Sequence, residues 1–271
     1  MKMKKKEKTI QLRTENLKRY LSVAEATGRH IQFPSNEDGI PKWGVSKLKG
    51  KKRIKNLLVT GTGRCGTHFI SKALNQTGVI DFPHEKTGEH GTSSTWFSVD
   101  SDWYPVALHH IEDLTAHIGE RRSDYKFNNV IHVVRDPLKC IHSINSVFRK
   151  ITYDFHIENK VIPLTHNPFE KKGKYWKAMV LYYFVNKHIE KEFPNAIRIR
   201  IEDIEDEWSK VAEMAGAKGA ELPIIKPTNT GRAIMPFFNK QEPITLEKLY
   251  KVNVKLCEDI MGMGKRYGYN Y

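Results

Sequence analysis

Residues 56–72 read Asn-Leu-Leu-Val-Thr-Gly-Thr-Gly-Arg-Cys-Gly-Thr-His-Phe-Ile-Ser-Lys, and no other stretch restricts the fold so tightly. An apolar strand pattern runs into a glycine-rich turn, and the turn opens an amphipathic helix pattern. Backbone N–H groups at a helix start converge on one point, where the macrodipole adds roughly half a positive charge. Gly61, Gly63 and Gly66 permit positive φ and close backbone approach to a ligand. Arg64 adds a permanent charge inside the turn, and Thr67 adds a hydroxyl at the helix start. The arrangement predicts a seat for a phosphate- or sulfate-bearing ligand.

The rest of the chain alternates in the same sense. Strand patterns fall at 54–60, 78–82, 105–109, 129–134 and 196–201; helix patterns fall at 66–76, 111–121, 137–150, 174–192, 204–215 and 245–263. Short apolar strands separated by longer helices predict βαβ units, hence an α/β fold with a central parallel sheet between two helical layers. Right-handed crossovers then bring the loops after the strands to one edge, where ligands bind near the switch point of the strand order. Residues 1–52 lie before this alternation and are expected to form a basic extension, with one helix pattern at 14–26 and an irregular linker at Pro34–Gly44. The expected domain then covers 53–271.

Charge follows the same division. Residues 1–55 hold 16 Lys or Arg against 5 Asp or Glu, a surplus of 11 that leaves only +3 of the net +14 for the other 216 residues. A solvated extension is the plain reading of that arm; attraction to an anionic partner is the sharper one. No stretch reaches the roughly 20 apolar residues of a membrane span, and no apolar segment follows the basic start as in a secretory signal. Cys65, Cys140 and Cys257 are widely spaced, which fits neither a disulfide framework nor a zinc site, and points to a reducing cytoplasm.

Three patterns fit the glycine turn. Gly61-x-Gly63-x-x-Gly66 is a dinucleotide fingerprint, with Asp81 where a ribose-binding acid would stand. Gly61-x-x-x-x-Gly66 is also a Walker frame, but Thr67 replaces its lysine and His68 its metal-binding hydroxyl. The third pattern moves the cation into the turn, as Thr62-Gly63-Arg64-Cys65-Gly66-Thr67-His68, and resembles the 5′-phosphosulfate loop of sulfotransferases.

A second segment separates them. Residues 129–143 read Asn-Val-Ile-His-Val-Val-Arg-Asp-Pro-Leu-Lys-Cys-Ile-His-Ser: a strand ending at Arg135, a helix opening near Pro137, and Ser143 about two turns in. A strand-end guanidinium and a helix hydroxyl suit one phosphate approached from two sides. The pattern is similar to the 3′-phosphate site of sulfotransferases that use 3′-phosphoadenosine 5′-phosphosulfate (PAPS). Residues 197–203, the segment Lys226-Pro-Thr-Asn229 and the ending Arg266-Tyr-Gly-Tyr269 also resemble family segments, so the similarity runs over about 54–271. It implies the P-loop-like sulfotransferase fold of Golgi, tyrosylprotein-type and soluble bacterial or viral members.

The resemblance implies the following chemistry. A sulfuryl group would pass in line from PAPS to a hydroxyl or amine, leaving 3′,5′-ADP, with no metal expected. Gly63, Arg64, Cys65, Gly66, Thr67 and His68 would hold the 5′-phosphosulfate, with Arg64 also steadying the departing nucleotide. Arg135 and Ser143 would hold the 3′-phosphate, Arg232 would reach it from the late loop, and the segment ending at Asn229 would cover the nucleotide. Glu85 stands where family members carry the general base, His84 beside it is the second candidate, and Asp81 ranks below both. His68 departs from the hydroxyl residue common there and is either a phosphate donor or a substitute acid. The 88–95 stretch, with Gly88 and Gly91, reads as a mobile acceptor loop. Trp96, Trp103, Trp176 and the Tyr182–Phe184 run read as core, and His109–His110 as a strand end. The acceptor class stays open among carbohydrate, lipid, protein and small metabolite; no specific nucleic-acid partner is expected. An NAD(P)-dependent oxidoreductase and a non-catalytic nucleotide- or polyanion-binding module are the alternatives.

Overall fold

The computed structural model describes residues 53–84, 87–95, 125–147, 173–225 and 242–271. All of them belong to one compact unit, Leu48–Pro105 with Arg121–Tyr271. The basic extension, Glu85, the strand expected at 105–109, the helix expected at 111–121, Trp96, Trp103, His109–His110, Asn229 and Arg232 lie outside the described residues.

Four parallel strands form the sheet: β1 (Arg53–Thr60), β2 (Gly91–Ser94), β3 (Tyr125–Val134) and β4 (Ile197–Arg200), in the order β2-β1-β3-β4. Around it lie α1 (Thr67–Gln76), α2 (Pro137–Val147), α3 (Lys174–Glu192), α4 (Ile204–Ala215), α5 (Leu246–Val252) and α6 (Val254–Arg266). Leu57, Leu58, Val59 and Thr60 are all buried, and so are Ile131, His132, Val133 and Val134. Neighbouring strand residues face opposite sides, so the C-terminal halves of the two central strands are covered on both faces. Helix α1 packs on β1 and β2, α4 on β1 and β4, and α2, α3, α5 and α6 on one another. This is the expected α/β arrangement.

The strand order positions everything that follows. The chain passes from β1 outward to β2, then returns across β1 to pair β3 on its other side. The switch point therefore lies between the C-terminal ends of β1 and β3, where the glycine turn and the Arg135–Pro137 corner emerge side by side.

Three expectations need correction. Residues 78–82 form no strand. The Phe82 backbone is satisfied from α1 instead: its N–H donates to Asn75 Oδ1 at 2.9 Å, and its carbonyl accepts from Asn75 Nδ2 and Ser71 Oγ, each at 2.8 Å. The strand beside β1 is Gly91–Ser94, within the stretch read as a mobile acceptor loop, and every residue of it is buried. Its small side chains gave no apolar signal, yet smallness is what the position requires. A Cβ on Gly91 would stand 2.0 Å from the Leu57 carbonyl oxygen and 2.7 Å from Phe82 Cε2. Ser93 Oγ meets its own need by donating to the Thr67 carbonyl at 2.7 Å. The single helix expected at 245–263 is two, because Asn253 is extended and caps α6 by accepting from the Leu256 N–H at 2.8 Å.

His132 carries a stability prediction. It is buried in β3, its Nε2 paired with Asn186 Oδ1 at 3.0 Å, and burial, aided by Arg198, lowers its pKa to about 4 against the opposing Asn186 bond. The neutral ring is the folded form, so the unfolded chain gains a proton first as pH falls below its own value near 6.5. Stability is fully present above that value and falls between pH 6.5 and 4, by about 3 kcal/mol from this residue. Urea unfolding of wild type and His132→Gln across that window is expected to show a slope that the variant lacks.

Candidate functional site

The glycine turn is built by close approach. Gly61 follows β1 directly, and a Cβ there would lie 2.3 Å from the Val133 carbonyl oxygen and 2.5 Å from Cys65 Sγ. Gly66 is the N-cap of α1 at φ 111, in the left-handed region, and supplies no side-chain cap. Gly66 itself offers the first turn of α1 no side-chain acceptor. Among the described residues Arg64 is the one non-glycine at positive φ, 72°. A backbone held there costs on the order of 1 kcal/mol, and such strain concentrates at functional positions.

The two segments read separately in the sequence touch each other. Arg135 Nη1 donates to the Arg64 carbonyl at 3.0 Å, and Arg64 Nε donates to Ser143 Oγ at 3.1 Å. Cys140 Sγ donates to the Gly63 carbonyl at 3.5 Å. Burial lowers the Arg64 pKa, with Arg135 pushing the same way and Cys140 and Cys65 opposing. Among the described residues no carboxylate pairs with Arg135, and its one hydrogen bond from the guanidinium goes to Arg64. Two guanidinium groups and a helix N-terminus thus meet in one crevice, an arrangement suited to more than one anionic group.

The remaining predicted residues fall around this centre. Thr67 is buried, its hydroxyl 3.4 Å from that of Thr95. Cys65 and Cys140 are buried free thiols, and burial drives the Cys140 pKa far above its ordinary value. His68, in the first turn of α1, sits against His84 with ring centroids 5.1 Å apart, and His84 bridges to Ser93 of β2. Asp81 is exposed and occupied within its own loop: Oδ2 accepts from the Glu89 N–H at 2.9 Å and its carbonyl from the His90 N–H at 3.2 Å. It does not end the strand beside β1, the place a ribose-binding acid takes in a dinucleotide fold.

The late segments serve the corner after β3. Asp136 Oδ1 accepts from the Lys139 N–H at 2.9 Å and caps α2. Glu202 accepts from the Asp136 N–H at 3.3 Å and from the Tyr269 hydroxyl at 2.7 Å. Arg200 pairs with Asp203, donates to the Gly268 carbonyl at 2.8 Å and lies over the Tyr269 ring. The Arg-x-Glu-Asp and Arg-Tyr-Gly-Tyr segments therefore grip each other and the Arg135–Pro137 corner. Thr62, read as the first residue of the turn, donates its hydroxyl to the Leu181 carbonyl at 3.5 Å, and Tyr182, read as core and buried, donates its hydroxyl to the Arg135 carbonyl at 3.1 Å. Nothing in the local pattern marks either contact.

Fold and site together define a parallel α/β protein with a cationic crevice at its switch point. No protein-family model matches the chain, and no curated protein matches it. Among solved structures it is similar to the sulfotransferase domain from the Synechococcus PCC 7002 olefin synthase, at 10% identity over 89% of this chain and 99% of that one, with a TM-score of 0.38. A score that low marks a coarse likeness and adds nothing to the geometry above. Among the described residues no helix is long and apolar enough to cross a membrane.

Proposed function

We propose that this chain is a sulfotransferase that takes a sulfuryl group from PAPS and passes it to an acceptor hydroxyl or amine. The observation that carries the reading is the meeting of Arg64 with Arg135 and Ser143 across the switch point. PAPS bears anionic groups at both its 5′ and 3′ positions, and Arg64 and Arg135 would give one cation to each. The residues fit the donor: the start of α1, whose N-cap is a glycine, and Arg64 would take the 5′-phosphosulfate, and Arg135 with Ser143 the 3′-phosphate. Arg64 would also steady charge on the departing nucleotide, a task for a fixed donor in a water-poor site. Asn229 and Arg232 complete the proposed nucleotide set.

An acceptor must lose a proton as it attacks, and a base within reach is required. Glu85 is proposed for that role, with His84, beside His68 at the start of α1, as the second candidate. Glu85→Gln is expected to abolish turnover and leave 3′,5′-ADP affinity within about 2-fold, because a base contacts the acceptor and not the nucleotide phosphates. Unchanged turnover would transfer the role to His84.

Calorimetry with 3′,5′-ADP, ATP and NAD tests the whole reading. Preference for 3′,5′-ADP is the expected result, and NAD binding without 3′,5′-ADP binding would overturn it. Strong 3′,5′-ADP binding with no transfer to carbohydrate, lipid, protein or small-molecule acceptor pools would make the chain a binding module instead. Metal removal with a chelator is expected to leave turnover unchanged.

A further inference from the structure

We propose that Tyr182 is the positioning residue that holds Arg135, and through it the glycine turn, in the anion-binding arrangement. The inference rests on the functional reading above. Tyr182 is fully buried on α3, and its hydroxyl donates to the Arg135 carbonyl at 3.1 Å. From there a series of hydrogen bonds crosses the crevice. Arg135 donates to the Arg64 carbonyl at 3.0 Å, and Arg64 donates to Ser143 at 3.1 Å. Helix α3, the end of β3, the glycine turn and α2 are thus linked through four residues.

The same turn of α3 also reaches the near side of the glycine turn, because the Leu181 carbonyl accepts from Thr62 at 3.5 Å. One turn below, Asn186 Nδ2 donates to the Tyr182 carbonyl at 2.8 Å while its Oδ1 pairs with His132 of β3 at 3.0 Å. That pairing sets the spacing of α3 from β3 before the strand ends. The Arg135 carbonyl comes after the last residue of the strand and has no ladder partner, so the phenol supplies its donor. Burial raises the Tyr182 pKa well above its ordinary value, so the donor persists at every working pH. Tyrosine is suited to this position because its ring fills core volume while its hydroxyl reaches a polar partner.

Tyr182→Phe keeps the ring and removes only the donor. Calorimetry with 3′,5′-ADP is expected to show affinity falling about 10-fold in the otherwise native chain, the effect of one lost hydrogen bond to an ordered carbonyl. The same change is expected to cost less than about 2-fold in an Arg135→Ala background, where no guanidinium is left to position. A merely structural tyrosine would cost the same in both backgrounds, and that result, or no loss in either, overturns the inference. If the native chain binds no 3′,5′-ADP, the sulfotransferase reading falls by itself. The cycle is then run with pyrophosphate, and binding indifferent to Tyr182→Phe overturns the positioning role.

Discussion

Arg64→Gly is expected to lose 3′,5′-ADP binding while keeping or raising thermal stability. The guanidinium is largely buried, donates to Ser143 and stands beside Arg135. A charge-assisted hydrogen bond contributes about 1.5–3 kcal/mol, so the loss of two phosphate contacts weakens binding by roughly 10²–10⁴-fold. Turnover falls further, because a donor aimed at developing charge is worth about 10²–10³ in rate. Stability moves the other way for two reasons. Glycine accepts the left-handed backbone that Arg64 adopts at φ 72. Its entry also removes a buried cation that has another cation as neighbour. The greater freedom of glycine in the unfolded chain offsets part of the gain. Calorimetry and thermal unfolding on the same sample check both halves; a destabilised variant that still binds 3′,5′-ADP would show Arg64 to be structural.

Gly61→Ala is expected to have the largest effect on the fold. The added Cβ would stand 2.3 Å from the Val133 carbonyl oxygen and 2.5 Å from Cys65 Sγ. Neither neighbour yields easily. Val133 is buried and paired with Ile199 of β4, and Cys65 is buried in the turn. Relief requires parting β1 and β3 at their C-terminal ends, where the two arginines meet. Overpacking of this kind costs about 3 kcal/mol, or about 6–12 °C in Tm for a chain of this size. The helical Gly262 makes the contrast: a Cβ there meets nothing within 4 Å, and Gly262→Ala is expected to add about 0.5–1 kcal/mol. Urea unfolding of the two variants should bracket the wild type, and a neutral Gly61→Ala would show that the strands are not held together there.

The site was legible in outline wherever chemistry and spacing lie close in sequence. The strand, glycine turn and helix at Arg53–Gln76 are local, and so are the strand, Arg-Asp-Pro corner and helix at Tyr125–Val147. The second strand was misplaced because its signal is contextual. Residues 78–82 carry the apolar residues of a strand, yet Asn75 and Ser71 satisfy Phe82 from the neighbouring helix. Gly91–Ser94 carries none of that pattern, yet it pairs with β1, with Gly91 where a Cβ would meet Leu57 and Phe82. Burial on both faces also erases the alternation by which a half-exposed strand is recognised.

By itself the sequence determined an α/β chain with an anion-binding turn after its first strand, a second cationic corner after a later strand, and a surplus of positive charge held in the first 55 residues. Those properties depend on residue type, local period and short spacing. Only the tertiary structure decided that the two cationic segments meet, that Asp81 is engaged within its own loop, and that Tyr182 and Thr62 tie α3 to both segments. The reason is separation along the chain. Arg64 meets Arg135 across 71 residues and Tyr182 meets Arg135 across 47, distances at which only strand order and helix packing choose which side chains meet.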